Sequence, residues 1–252
     1  MNRSACSCFA PFAVVLVALS GQVSADVLQF TGFAQSREGE TLYEERHQVD
    51  GACENGVYRP IEHRVAYMRQ GEGSSETFAE KTLDYSASAI RPTVNYRQPD
   101  FDESLKITYP ASGSVAIAWQ QPEGATKRSI TEISDKLVVD AGFDNLIRQH
   151  WDNIVSGESV KFRFLAPTRG TDYAFILEPA ESADVKADHV VQIRPDSLLL
   201  KFLVDPIVLG YNEKGALTAY AGLTNVRENA DQNYTAIIRY AISNYPECKL
   251  TP

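Results

Sequence analysis

One segment, residues 140–158, differs from the rest of a chain that otherwise has the pattern of strands. Six of its side chains recur at helical spacing and form one stripe: Phe143, Leu146, Ile147, His150, Trp151 and Ile154. Asp140 or Asp144 can serve the first backbone N–H groups, and Gly157 is placed to end the helix. A helix that is apolar on one side must bury that side, and here the available surface is the face of a sheet.

The remaining chain from residue 26 onwards consists of short extended segments separated by Gly, Pro, Asn and Asp. Asn55-Gly56 is the clearest hairpin turn, because both residues tolerate positive φ. Residues 160–165 alternate apolar and charged side chains, and we favour a strand for the apolar run 198–204 because Asp205-Pro206 ends it. The predicted fold is mainly β: one strongly curved antiparallel sheet, or open half-barrel, with one main helix packed on its concave face. We expect a single domain over residues 26–252.

The N-terminus has the three-part layout of a secretory signal peptide. Arg3 precedes an apolar run at residues 9–19, and Val23-Ser24-Ala25 presents small residues at the cleavage position. We therefore expect residues 1–25 to be removed after Ala25 and the mature protein to be periplasmic. No later run approaches the ~20 apolar residues that a transmembrane helix needs, so the mature chain is expected to have no transmembrane segment.

Cleavage would leave two cysteines, Cys53 and Cys248. An even pair in an oxidising compartment favours a disulfide, which would tie an early hairpin to the C-terminal end. The alternative is two separate thiols, because spacing alone does not establish proximity.

Charge and missing motifs limit the possible functions. Removal of residues 1–25 takes away one arginine and no acidic residue, so the net charge falls from −9 to −10, which argues against nucleic-acid binding. The mature chain contains no Gly-x-Ser-x-Gly, His-Glu-x-x-His, phosphate-binding glycine loop or Cys-x-x-Cys. The sequence therefore predicts a protein that is not an enzyme and that carries no cofactor and no metal.

The histidines are the residues most open to another interpretation. His150 lies on the helix stripe without a second histidine one turn away, so we interpret it as a core-edge residue. If Asn55-Gly56 is a simple two-residue turn, His47 and His63 point to opposite faces of the hairpin, which disfavours a shared site. A one-residue bulge would bring them to one face and would strengthen an enzyme hypothesis that uses either histidine with Glu45 or Glu62.

Four segments carry a resemblance to a known group of proteins: residues 79–85 (AEKTLDY), residues 140–144 (DAGFD), Trp151-Asp152, and residues 205–225 with Asp205-Pro206-Ile207 and Gly222-Leu223-Thr224-Asn225. Together they resemble an uncharacterised family of exported proteobacterial proteins, and that family implies no catalytic residues. The expected architecture is also similar to the periplasmic lipoprotein carriers and their outer-membrane receptors, in which a curved sheet and helices enclose an apolar cavity. That similarity implies a carrier-like shape.

Two functions fit these observations. In the first, a soluble periplasmic binding or carrier-like protein holds a lipid, acyl chain or other apolar ligand between sheet and helix. Its lining would be Phe143, Ile147, Trp151, Phe162 and Phe164. In the alternative, a structural or interaction protein of the cell envelope has a filled core and docks an envelope protein. The space between helix and sheet distinguishes the two.

Overall fold

The computed structural model describes residues 26–70, 75–197 and 205–252. Two short helices, α1 (Gly142–Gln149) and α2 (Trp151–Val155), lie between the ninth and tenth strands. The strands are β1 (Asp26–Gln35), β2 (Thr41–Glu54), β3 (Val57–Gln70), β4 (Ser75–Asp84), β5 (Thr93–Gln98), β6 (Glu103–Ala111), β7 (Ser114–Gln120), β8 (Thr126–Glu132), β9 (Leu137–Val138), β10 (Val160–Ala166), β11 (Thr171–Pro179), β12 (His189–Pro195), β13 (Ile207–Tyr211), β14 (Leu217–Arg227) and β15 (Asn233–Asn244). The expectations for residues 1–25 and 198–204 lie outside the described residues.

All fifteen strands belong to one sheet, in the order β8-β7-β6-β5-β4-β3-β2-β1-β15-β14-β13-β12-β11-β10-β9. β1 pairs with β2 on one side and with β15 on the other, so the first and last described strands meet in the middle of the sheet. Neighbouring strands are antiparallel except β9 and β10, which are parallel. The mainly β fold, with one large curved sheet and one main helix, is thereby confirmed. No described helix has the length and apolarity needed to cross a bilayer.

The predicted helix is present but divided at His150, whose φ of −107° and ψ of 24° leave the helical region. Leu146, Ile147 and Ile154 are buried in one cluster with side chains of β10 to β14. The apolar stripe therefore packs against the sheet as expected. Gly157 follows α2 with a φ of +97°, a conformation that glycine adopts without strain, so it ends the helix as predicted.

The hairpin of β2 and β3 contains a one-residue bulge, the alternative that the sequence alone could not decide. Asn55 and Gly56 form the predicted two-residue turn, both with positive φ. The register then shifts between Asp50 and Gly51, which leaves Ile61 as an extra residue in β3. A Cβ on Gly51 would lie 2.4 Å from the carbonyl oxygen of Arg59, so only glycine permits this close approach. The bulge reverses the side-chain alternation beyond it.

This bulge corrects the placement of the two histidines. With the shifted register, Val49 lies opposite His63 and His47 lies opposite Val65. The prediction from a simple turn, that His47 and His63 point to opposite faces, is therefore wrong. Both side chains point into the concave side of the sheet, as the stated bulge alternative required.

The predicted disulfide is confirmed. Cys53 and Cys248 are bonded, with their Cα atoms 5.8 Å apart, so the alternative of two separate thiols is wrong. The bridge holds the C-terminal segment against the β2–β3 turn, where the Tyr58 N–H donates to the Lys249 carbonyl over 2.7 Å. Leu250 is thereby buried in a cluster with Leu28 and other residues. A disulfide is typical of an oxidising compartment, while the periplasmic location stays a prediction.

Candidate functional site

The structure places the five predicted ligand residues in one region of the core. Ile147 and Phe162 are buried in the cluster that also contains Leu177 and Leu209, and Phe143, Trp151 and Phe164 pack against it. The Trp151 ring meets His189 and Tyr211 edge-on, with centroids 5.1 and 5.9 Å apart. Ile147 has 0% of its surface exposed, so protein atoms cover it completely. At Ile147 the space between helix and sheet is filled, and the ligand role of the five residues stays a prediction.

Space does remain between the helix and β10, beside that filled core. A groove of about 400 Å³ opens there to solvent. Its apolar residues are Ile90, Leu146, Val160 and Phe162. Its polar residues are Asp135, Lys136, Gln149, His150, Asn153, Glu158, Ser159 and Lys161. Of the predicted ligand residues, the groove includes Phe162.

Each side of the groove comes from a different part of the sequence. Leu146 and His150 project from the helix, Val160 and Phe162 from β10, and Ile90 from the connection between β4 and β5. Leu146 could have been identified from the helix stripe and Val160 from strand alternation. Ile90 could not, because nothing local in the sequence indicates that the β4–β5 connection passes beside the helix.

The polar rim of the groove is partly paired. Asn153 donates to Glu158 over 2.7 Å, and Lys161 forms an exposed ion pair with Asp196 at 3.2 Å. His150 lies at this rim, which agrees with its interpretation as a core-edge residue. Apolar side chains below a rim of amides and opposite charges can accept a molecule with an apolar body and a polar end.

The second polar region lies deeper, on the concave face of β1 to β3 and β15. The Tyr240 hydroxyl donates to Glu45 Oε2 over 3.0 Å, and the same oxygen lies 2.9 Å from His47 Nε2. His47 Nδ1 in turn lies 2.9 Å from His63 Nε2. The His47 ring stacks on Phe30 with centroids 4.3 Å apart. Four polar side chains thus form one continuous hydrogen-bonded chain inside the sheet.

A glycine makes part of this chain possible. Gly32 in β1 lies opposite Glu45 on one side and Tyr240 on the other. A Cβ at Gly32 would come within 2.6 Å of the Tyr240 ring. Without that Cβ the ring can lie across β1 and reach the carboxylate. Sequence reasoning considered His47, His63 and Glu45, but only the bulge in β3 brings the two histidines together in this hydrogen-bonded row.

The protons in this chain follow from its geometry. Only one hydrogen fits in the 2.9 Å contact between His47 Nδ1 and His63 Nε2, so one ring donates and the other accepts. Burial, followed by electrostatic interactions with His47, Lys81 and Arg148, holds the pKa of His63 well below its usual value. His63 is therefore neutral at pH 7.

A buried ion pair joins three of the segments that carry the family resemblance. Lys81 in β4 lies 3.0 and 3.2 Å from the two carboxylate oxygens of Asp140, and both side chains are buried. Asn225 in β14 donates to the same carboxylate over 3.3 Å. Asp140 has a φ of +46°, an uncommon conformation for a residue other than glycine. This cluster fixes the start of the helix to two distant strands.

Two arginines, Arg148, which is buried, and Arg227, which is partly buried, join distant parts of the interior. Arg227 at the end of β14 makes two 2.9 Å contacts to Glu103 in β6, and Trp119 Nε1 donates to the same carboxylate over 2.8 Å. Arg148 pairs with Asp144 at 2.8 Å and donates to the Gly215 carbonyl over 3.0 Å. Such contacts pair charges that are largely removed from water.

One group of described residues has the spacing of metal ligands. It consists of Asp26, Cys53 and Cys248. Both sulfur atoms of this group are already joined in the disulfide, so they cannot act as thiolate ligands.

Comparisons with known proteins add a distant structural likeness. No protein-family model matches the chain, and no curated protein matches it. A solved structure described as a beta-barrel-like protein of the domain of unknown function DUF1849, from Brucella abortus, is similar with a TM-score of 0.40 and 8% sequence identity. The match covers 87% of this chain and 96% of that chain.

Proposed function

We propose that this chain is a non-catalytic periplasmic binding protein that holds the apolar part of an amphipathic ligand, such as a lipid or acyl chain. The binding site is the groove between the helix and β10. The observation that carries the proposal is the open space of about 400 Å³ whose lining includes Leu146, Val160 and Phe162. Ligand pockets in proteins typically measure roughly 300–1,000 Å³, and the volume of this groove lies within that range.

The arrangement of the groove favours an amphipathic ligand over a wholly apolar one. Its apolar residues lie on the core side, where Phe162 and Leu146 are both buried. Its rim carries Lys136 and Lys161 together with Asp135 and Glu158. A charged or hydrogen-bonding end of the ligand can therefore stay at the rim in contact with water while the apolar body covers the floor.

We propose a non-catalytic role because His47 and His63 already contact other side chains of the interior. His47 and His63 share one face, as the enzyme hypothesis required, but their ring contacts run to Glu45, Phe30 and each other. A general base must reach a proton of the substrate, and only 7% of His63 is exposed. This arrangement favours a structural role for the histidine pair.

The groove is tested by binding of a fluorescent fatty acid to purified, delipidated protein and by mass spectrometry of lipids extracted from natively purified protein. Val160→Phe adds a ring to the floor of the groove and should weaken binding about tenfold or more, since it removes space that the acyl chain needs. Ile130→Phe, at an exposed position of β8, is the matched control and should leave binding unchanged. Protein that is empty as purified and does not take up the probe would contradict the proposal.

A second candidate function, an interaction protein of the cell envelope with a filled core, is favoured by a different observation. Ile147, Leu177 and Leu209 are each 0% exposed, so the interior beside Trp151 holds protein and not ligand. Failure of both lipid measurements would favour this candidate. Cross-linking in intact cells, followed by mass spectrometry, would then identify the envelope protein that it contacts.

A further inference from the structure

Strand β8 is an open edge of the sheet. Among the described strands it pairs only with β7, along all seven of its residues from Thr126 to Glu132. Five of the seven are exposed, and Ile130, at 72%, is the most exposed large hydrophobic residue of the described chain. An exposed edge offers a row of unpaired backbone N–H and C=O groups that can pair with another strand.

The two faces of β8 differ. Ser129 points to the inner face, where the turn after β10 packs so closely that a Cβ on Gly170 would lie 2.7 Å from its hydroxyl oxygen. Because side chains alternate along a strand, Arg128, Ile130 and Glu132 point to the outer face. The turn thus supports β8 from within, while within residues 26–70, 75–197 and 205–252 no strand pairs with its free edge.

The outer face of β8 is complementary to itself. When two copies of the strand run antiparallel with Ile130 opposite Ile130, Arg128 of each copy lies opposite Glu132 of the other. The part of the chain that the structure describes provides no ion-pair partner for either Arg128 or Glu132. Opposite charges and apolar side chains that face each other across strands both stabilise a sheet.

We propose that β8 is a dimerisation edge, at which a second copy of this chain adds its own β8 antiparallel about a two-fold axis through Ile130. Each monomer contributes the same surface, as a two-fold interface requires. The proposal is independent of the groove, which lies between the helix and β10 and contains no residue of β8. Pairing along one strand buries a small area, so we expect a weak, concentration-dependent dimer.

A second copy fits this edge better than an unrelated strand. Any extended peptide could use the backbone groups of β8, but the order Arg128, Ile130, Glu132 places both charged pairs correctly only against its own reverse. The match depends on the spacing of the charges about Ile130. Substitutions at these positions can therefore separate self-pairing from general peptide binding.

The test is sedimentation equilibrium of the disulfide-bonded mature chain up to roughly 1 mM, a concentration that detects even millimolar dissociation constants. Ile130→Lys should weaken the dimer at least tenfold. Leu223→Lys, an equally drastic change at a residue of β14 that is 59% exposed, should leave it unchanged. Far-UV circular dichroism verifies that each variant is folded.

Charge reversal gives the sharper version of the test. Arg128→Glu alone and Glu132→Arg alone each place like charges opposite one another in both pairs, so each variant should be monomeric. An equimolar mixture of the two variants restores opposite charges in both pairs and should dimerise, as should the double variant. A monomeric wild type up to the highest concentration, or a dimer that ignores these changes, would overturn the proposal. So would a mixture that stays monomeric while the wild type dimerises.

Discussion

The interior of this sheet is filled in two different ways. On the side of the helix and β10 to β13, which we call the apolar side, Ile147, Phe162, Leu177 and Leu209 pack without polar partners. On the side of β1 to β4 and β15, which we call the polar side, Glu45, His47, His63 and Tyr240 form a hydrogen-bonded chain near the Lys81–Asp140 pair.

The difference between the two sides predicts different responses to change. Apolar packing loses stability in proportion to the volume removed, and its energy is insensitive to pH. A buried polar group depends on a particular partner, so removing that partner leaves a charge or donor that water no longer solvates. We therefore expect the polar side to respond more strongly to single substitutions and to be the side that responds to acid.

The largest effect is expected at the buried ion pair. Lys81→Met leaves the Asp140 carboxylate buried without its cation and should reduce the free energy of unfolding by about 3–5 kcal/mol. Lys161→Met is the matched control, because Lys161 pairs with Asp196 at the surface, and it should cost about 1 kcal/mol or less. Urea denaturation followed by tryptophan fluorescence measures both.

The double variant Lys81→Met with Asp140→Asn sharpens this prediction. It removes both charges, and Asn accepts the positive φ at position 140 more readily than most residues. We expect it to be clearly more stable than Lys81→Met alone, since no unpaired buried charge remains. A double variant no more stable than the single one would show that the loss is one of packing and not of charge.

A smaller effect is expected on the apolar side. Ile147→Ala removes a completely buried side chain and should cost about 3 kcal/mol, the usual range for such a cavity being roughly 2–5 kcal/mol. Val155→Ala, at the end of α2 and 46% exposed, should change the stability by about 0.5 kcal/mol or less. Thermal and urea unfolding measure both, and an equal loss for the two variants would contradict the proposed burial of the helix stripe.

The sequence predicted the apolar side well because its signals are local. The helix stripe and the alternation of residues 160–165 each lie within one continuous segment, and Gly157 directly follows the helix. All three predictions describe what is observed. The Cys53–Cys248 bridge also followed from sequence, since only two cysteines remain after residue 25. Local periodicity, and a pairing with only two cysteines to choose from, can be interpreted without knowing which strands lie next to each other.

The polar side could not be predicted because its geometry depends on a register shift and on distant pairings. One extra residue, Ile61, decides that His47 and His63 meet, and a strand register has no local marker for a bulge. Glu45 meets Tyr240 only because β1 pairs with β15 at the far end of the chain. The sequence indicates that a bulge would bring both histidines to one face, but only the structure shows that the bulge is present.

The smallest effect is expected from His63. It should make the free energy of unfolding depend on pH on the polar side and not on the apolar side. Its pKa is lowered in the folded protein, so below about pH 6.5 the unfolded chain binds a proton that the folded chain does not. His63 therefore does not affect the free energy of unfolding above that pH. Below it, the free energy of unfolding decreases as the pH falls. The folded protein should lose up to about 2 kcal/mol between pH 6.5 and pH 5 through this residue.

The variant His63→Leu should flatten this pH dependence, whatever its stability at pH 7, because it removes the group that the unfolded chain protonates. Phe30→Leu is the matched control: it weakens packing against His47 without removing a titratable group, so its stability should fall with pH as steeply as that of the wild type. Urea denaturation at pH 7, 6 and 5 measures the three slopes. Equal slopes for wild type and His63→Leu would mean that acid acts elsewhere in the molecule, and the contrast between the polar and apolar sides would then rest on charge pairs alone.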